Sequence, residues 1–122
     1  MKKIVGSVAL SLFLGNGWAC GYCVEDKIAA VYDYAALTQA HAKKQTVVYF
    51  AIDGTIRDSA PGLQKIVHSV RGVEKGSARI SVEAGALAVS FDPRRTSLPV
   101  LQSGLEKALK PRGLELLLLD TR

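Results

Sequence analysis

Two cysteines are the residues of this sequence with the clearest capacity for chemistry. Cys20 and Cys23 are its only cysteines, spaced as Cys-x-x-Cys in the segment Cys20-Gly21-Tyr22-Cys23. At this spacing near a helix start, both sulfur atoms can face one point, and the positive end of the helix dipole favours the thiolate. Thiolates bind soft ions such as Cu(I) and also form part of Zn(II) sites. The pair is therefore the predicted metal site.

Other groups could complete such a site. His41 and His68 are the only histidines, and the α-amine of Cys20 would be available if the chain began there. Each histidine also has an ordinary interpretation. His68 lies among apolar residues at helical spacing and is expected to be a surface side chain. His41 lies near a helix end, where a cation interacts favourably with the dipole.

Two other interpretations of the cysteine pair stay open. Residues 18–23 superficially resemble the Cys-Gly-x-Cys motif of thioredoxin-like oxidoreductases, which would indicate thiol and disulfide chemistry, although here the motif precedes every predicted strand. Alternatively, Cys20 and Cys23 form only a small disulfide loop. So short a loop removes little chain entropy, so its effect on stability would be small.

The first 19 residues have the layout of a secretory signal peptide. Met1-Lys2-Lys3 is cationic, the 11 residues from Ile4 to Leu14 are apolar, and Gly17 and Ala19 are small residues before a cleavage site. A membrane-spanning helix needs roughly 20 apolar residues, so a retained anchor is disfavoured. We expect cleavage after Ala19 and a periplasmic or secreted protein. Acylation at Cys20 as a lipoprotein is less favoured, because residues 17–19 match that pattern poorly.

Composition places the remainder among ordinary folded domains. The chain has 122 residues, 48% of them hydrophobic and 22% charged, with a net charge of +5, which argues against a disordered tail or a polytopic membrane protein. The cations at Arg94-Arg95 are interspersed with acids and lack an aromatic platform, so we expect solvated charge rather than a nucleic-acid surface. No nucleotide-binding loop or Ser/His/Asp set is discernible, so the sequence does not predict an enzyme.

Hydrophobic periodicity predicts the order of elements after the cysteine pair. Apolar residues recur at helical spacing in three segments, and β-branched or alternating runs mark four strands. The expected elements are a helix over Val24–Lys44, a central strand over Thr46–Ile52, a helix over Ala60–Val70, strands over Ser77–Glu83 and Leu87–Phe91 joined by a turn at 84–86, a helix capped by Ser97 and a strand over Leu114–Leu119.

Without the first helix, this order is strand, helix, strand, strand, helix, strand. Two such halves with right-handed crossovers build an α+β, ferredoxin-like βαββαβ sandwich. It has four antiparallel strands and both helices on one face. The predicted organisation is a signal peptide at 1–19, a CxxC-headed helix at 20–44 and a ferredoxin-like domain at 45–122.

The later part of the chain resembles a known family. From Gly72 to Asp120 the sequence is similar to the heavy-metal-associated domains of copper chaperones and metal-pumping ATPases, and Thr46–Gly54 resembles the first strand of that family. The residues that carry the resemblance are Gly72-Val73, Ser77–Val82, Ala88–Pro93, Ser97, Leu98, Leu101, Leu105 and Gly113. The resemblance implies the same ferredoxin-like fold and binding of a soft metal ion, with a metal-transport protein as partner.

The sequence departs from that family where its metal ligands lie. The resemblance places a Gly-Met-x-Cys-x-x-Cys loop after the first strand, but this chain reads Thr55-Ile56-Arg57-Asp58-Ser59-Ala60-Pro61 after Gly54. Arg57 and Ala60 stand near the expected cysteine positions. The predicted function is therefore binding of Cu(I) or Zn(II) through Cys20 and Cys23. The alternative is a protein-interaction module of the same fold that has lost its metal site.

Overall fold

The computed structural model describes residues 23–122. Its elements are α1 (Val24–Val31), α2 (Tyr34–Ala42), β1 (Thr46–Asp53), α3 (Ala60–His68), β2 (Arg79–Ser81), β3 (Ala86–Phe91), α4 (Leu98–Leu109), a 3-10 turn (Lys110–Arg112) and β4 (Glu115–Thr121).

The strands form one antiparallel sheet in the order β2-β3-β1-β4. The prediction of a ferredoxin-like βαββαβ unit is confirmed. β1 lies in the interior of the sheet and is buried along nearly its whole length, as its uninterrupted apolar sequence predicts.

One face of the sheet packs against α3 and α4. Alternate residues of β1, namely Val48, Phe50 and Ile52, point into this core together with Leu63 of α3 and Leu101 of α4. Each helix begins at a serine whose hydroxyl accepts a backbone hydrogen bond. Ser59 caps α3 and Ser97 caps α4, which satisfies amide groups that lack a helical partner.

A second core lies on the opposite face of the sheet. Val47 and Tyr49 point toward α1 and α2, where they pack with Ile28, Val31 and Ala40. Alanines at 84, 86 and 88 supply the facing surface of the sheet, so the helices can approach closely. The structure therefore has three layers, with helices on both faces of the sheet.

The single helix predicted over Val24–Lys44 is wrong, because the chain breaks after Val31. Tyr32 has extended backbone angles, and Asp33 caps a new helix by accepting a hydrogen bond from the Ala36 amide at 3.1 Å. Asp33 is also 3.4 Å from the Arg79 guanidinium beside the sheet. No Gly or Pro marks this break, so hydrophobic periodicity alone predicts one continuous helix across it.

Smaller boundary differences occur around the hairpin. β2 spans three residues instead of Ser77–Glu83. The Ser90 amide donates its hydrogen bond to the Ser77 hydroxyl, and this bond takes the place of a backbone bond between the two strands. The turn is longer than predicted, from Val82 to Gly85, and Gly85 adopts φ +69°. No helix between residues 23 and 122 has the length and apolar character needed to cross a membrane.

Candidate functional site

Cys23 is the residue that precedes α1. It has extended backbone angles at the N-cap position, and its side chain is exposed. Its Sγ donates a hydrogen bond to Asp26 Oδ2 across 3.2 Å. The thiol therefore lies at the positive end of a helix dipole with a carboxylate beside it, a setting that can present sulfur and oxygen donors to a cation.

Cys20 lies outside the described residues, as does the predicted signal segment 1–19. The structure thus places one member of the predicted pair, and metal binding by Cys20 and Cys23 stays a prediction.

The two histidines do not join Cys23. His41 is exposed in the last turn of α2. His68 is exposed at the end of α3, where its Nε2 accepts a hydrogen bond from the Ala78 amide at 3.2 Å. That bond holds the chain as it enters β2. Within residues 23–122, no three His, Cys, Asp or Glu side chains are grouped so that they could hold a metal ion.

The loop between β1 and α3 carries basic side chains instead of thiols. Arg57 is exposed there and, with Thr55 and Arg112, lines a hollow of about 380 Å³. Arg112 Nη1 donates to Asp58 Oδ1 across 3.1 Å. This loop has no soft donor for Cu(I) or Zn(II). It is instead joined by an ion pair to the 3-10 turn that precedes β4.

Gly54 allows the backbone of this loop to approach the backbone at Gly113 closely. It has φ +114°, and a Cβ at this position would lie 2.5 Å from the carbonyl oxygen of Gly113. Sequence analysis placed Gly54 after the first strand and named Gly113 among the residues that carry the family resemblance. Their mutual contact depends on two loops meeting at one end of the sheet.

A half-open hollow of about 330 Å³ lies along α1 and is lined by Glu25, Ile28, Ala29, Tyr32 and Arg122. The Arg122 guanidinium lies 5.5 Å from the centre of the Tyr49 ring, within range of a cation–π contact. Burial raises the pKa of the Tyr49 hydroxyl, and the nearby positive charge of Arg122 partly opposes that shift. Sequence analysis missed this cluster, whose only signal was an unusually apolar β1.

Five of the cations between residues 23 and 122 lie beside an acid. Arg94 Nε lies 3.0 Å from Asp92 Oδ1, and this hydrogen bond lowers the pKa of the Asp92 carboxyl. Arg79 likewise pairs with Asp33. These contacts describe solvated ion pairs.

Comparison with known proteins gives matches of fold. The copper binding domain from HMA7, a P-type ATPase, matches with a TM-score of 0.50 and 19% identity over 63% of this chain and 97% of that domain. Oxidized MerP from Ralstonia metallidurans CH34 matches at 0.49 and 22% over 62% of this chain and 99% of its own. The N-terminal domain of a potential copper-translocating P-type ATPase from Bacillus subtilis matches at 0.49 and 22% over 64% and 91%.

The chain therefore has the ferredoxin-like fold of heavy-metal-associated domains, as the resemblance implied. No protein-family profile matches the sequence, and no curated protein matches it. More than a third of this chain lies outside the share matched by these structures.

Proposed function

We propose that this is an exported, non-enzymatic protein that binds a soft metal ion, Cu(I) or Zn(II), between the thiolates of Cys20 and Cys23. The observation that carries the proposal is the place of Cys23, which is exposed and forms the N-cap of a helix docked on the sheet. A second thiol three residues earlier can meet the same ion from this position, and the helix dipole favours both thiolates.

The two candidate metals make different demands on the site. Cu(I) accepts two thiolates in near-linear geometry, whereas Zn(II) takes four ligands and accepts carboxylate oxygen. Asp26 Oδ2 is 3.2 Å from Cys23 Sγ, so its carboxylate is the described group best placed to join a Zn(II) site. His41 and His68 lack such a position.

Support for the proposal also comes from the fold, which this chain shares with the copper binding domain from HMA7. Cys23 lies at a different place from the loop after the first strand, and that loop carries Arg57 and the Asp58–Arg112 pair. An exposed site on an exported chain suits transfer of the ion to a metal-transport or other periplasmic protein. The predicted signal segment 1–19 would deliver it there, and mass measurement of the mature protein tests the cut after Ala19.

Titration of the reduced protein with Cu(I) and with Zn(II), in competition with chelators, tests the metal site. We expect sub-micromolar binding of at least one ion that is lost in the Cys20→Ser, Cys23→Ser variant, while His41→Ala and His68→Ala retain it. If the double serine variant binds as tightly as the original chain, the proposed site is wrong.

Asp26→Asn then distinguishes the metals. We expect it to weaken Zn(II) binding about tenfold or more and to leave Cu(I) binding unchanged. Glu25→Gln, which alters a neighbouring charge but not the oxygen beside Cys23, is the matched control. Equal losses in both variants would mean that only the overall charge matters.

A protein-interaction module is the second candidate function. It is favoured by the loop after β1, where an ion pair stands in place of metal ligands. The Cys20→Ser, Cys23→Ser variant separates the two functions, because an interaction module keeps its partner and its phenotype without the thiols. Reduction or oxidation of a test disulfide by the protein would instead support the thioredoxin-like alternative.

A further inference from the structure

β4 forms one edge of the sheet built by residues 23–122. Among these residues β4 is the last strand in the order β2-β3-β1-β4 and pairs only with β1. An edge strand presents unpaired N–H and C=O groups that another strand can use, and Lys or Pro commonly blocks such pairing. Between Glu115 and Thr121 there are four consecutive leucines and neither Lys nor Pro. Leu117 is 62% exposed and Leu118 is 44% exposed.

The opposite edge of the sheet is blocked. β2 has only three residues. Just before it, the Ala78 amide donates to His68 and the Ala78 carbonyl accepts from Gln64, each across 3.2 Å. Side chains of α3 therefore occupy backbone groups that a further strand would need. Of the two sheet edges formed by residues 23–122, β4 is the more open, with its Thr121 amide donating to Asp120 Oδ1 across 2.9 Å.

A bulge in β4 sets which side chains share a face. Tyr49 pairs with Asp120 and Phe50 pairs with Leu118, so Leu119 is an extra residue. Glu115 lies opposite Asp53, and the Arg122 backbone exchanges hydrogen bonds with Val47.

Residues of β1 alternate between the faces of the sheet. Asp53 and Val47 are therefore on the same face, which is the face covered by α1 and α2. Glu115 and Arg122 consequently lie on that face as well, at opposite ends of β4.

We propose that the β4 edge pairs with the β4 edge of a second copy of this chain. An antiparallel arrangement about a two-fold axis places Glu115 of each copy opposite Arg122 of the other, on the same face. In the same register Leu117 of each copy lies opposite Asp120 of the other. Two four-stranded sheets then become one continuous sheet with an ion pair at each end of the pairing, where Arg122 meets Glu115 of the second copy as well as Asp120 of its own chain, 2.9 Å away.

The expected dimer is weak and depends on concentration. One pair of strands buries less area than the 1,200–2,000 Å² that is roughly standard for stable protein interfaces. The bulge at Leu119 also bends the strand, which limits the length of the pairing. The dimer does not involve Cys20 or Cys23, so this inference is independent of the proposed metal site.

Sedimentation equilibrium tests the proposal, using the full-length protein in the Cys20→Ser, Cys23→Ser background so that metal-linked and disulfide-linked dimers cannot form. We expect the mass to rise from one chain to two between about 10 µM and about 1 mM. Leu117→Glu should weaken the dimer at least about tenfold, because its carboxylate would face Asp120 of the second copy and like charges directly opposite each other repel. Val100→Glu is the matched control on α4, where Val100 is 64% exposed, and should leave the dimer intact.

Charge reversal provides the second measurement. Glu115→Arg and Arg122→Glu should each weaken the dimer, and the double variant should recover it because the pairs form again with reversed signs. Circular dichroism confirms that each variant is folded. A protein that stays monomeric throughout the concentration range would overturn the proposal, as would a dimer that Leu117→Glu does not weaken.

Discussion

Arg112 Nη1 and Asp58 Oδ1 lie 3.1 Å apart and join the 3-10 turn before β4 to the loop after β1. In the family that this sequence resembles, that loop carries the metal-binding cysteines. Here the loop carries Arg57 and Asp58 instead, and Asp58 pairs with Arg112.

We expect this ion pair to contribute little stability. The Arg112 and Asp58 side chains are 48% and 27% exposed, and exposed pairs are worth at most about 1 kcal/mol. Arg112→Ala should therefore lower the free energy of unfolding in urea by less than about 1 kcal/mol. A larger loss would show that Arg112 has a further structural role.

We expect that two added cysteines create a metal site in the loop after β1. Arg57→Cys with Ala60→Cys, in the Cys20→Ser, Cys23→Ser background, places two thiols three residues apart at the start of α3. We expect Cu(I) binding that the Arg57→Ser, Ala60→Ser control lacks, because two thiolates suffice for this ion. Absence of Cu(I) binding in the cysteine variant would mean that the loop geometry, and not only its residue types, has changed.

The cap at Asp33 should make stability depend on pH. The hydrogen bond from the Ala36 amide, assisted by Arg79, holds the pKa of the Asp33 carboxyl below its usual value. A depressed folded-state pKa adds stability above the unfolded value of about 3.9, and this contribution is lost as pH falls through the folded-state pKa.

Asp33→Asn keeps a good N-cap residue but cannot ionise. The difference in urea midpoint between the original chain and this variant should be largest near neutral pH and should shrink below about pH 4. A difference that stays constant with pH would contradict the assigned role of the carboxylate.

The layer formed by α1 and α2 should be part of the folding unit. Ile28 is 7% exposed and packs against the sheet, whereas Val24 is 51% exposed on the same helix. Ile28→Ala should lower the free energy of unfolding by about 2–4 kcal/mol, because it removes buried methyl groups and leaves a cavity. Val24→Ala is the matched control, and its free energy of unfolding in urea should be nearly the same as that of the original chain. Equal effects would mean that α1 does not dock stably on the sheet.

Gly54 and Gly76 provide a matched test of the loop contact. Both have positive φ, but a Cβ at Gly54 would meet the Gly113 carbonyl oxygen, whereas a Cβ at Gly76 would meet nothing within 4 Å. Gly76→Ala should cost about 1 kcal/mol for its backbone conformation alone. Gly54→Ala should cost more, as measured by thermal unfolding, because φ +114° is less accessible to alanine than φ +70° and the steric clash adds to that cost. Equal costs would mean that the two loops separate easily.

Much of the fold followed from local patterns. The uninterrupted apolar run of β1 predicted a strand covered on both faces, and Ser59 and Ser97 begin their helices as capping residues do. The break at Asp33 was not predicted, because its capping role is supported by Arg79, which lies 46 residues away. For the candidate site, sequence spacing identified Cys23 at a helix start. The hydrogen bond from its thiol to Asp26 Oδ2 is a feature of the folded structure.

The sequence by itself indicated most of the helical and strand segments, because periods of 3.6 and 2 are properties of neighbouring residues. It also determined that the two cysteines precede every strand and that the loop after β1 lacks cysteine. Only the tertiary structure decided that α1 and α2 cover the second face of the sheet, that Asp58 meets Arg112, and that a bulge brings Glu115 and Arg122 to one face. These relationships join residues far apart in the chain, and their geometry is fixed by packing and strand register.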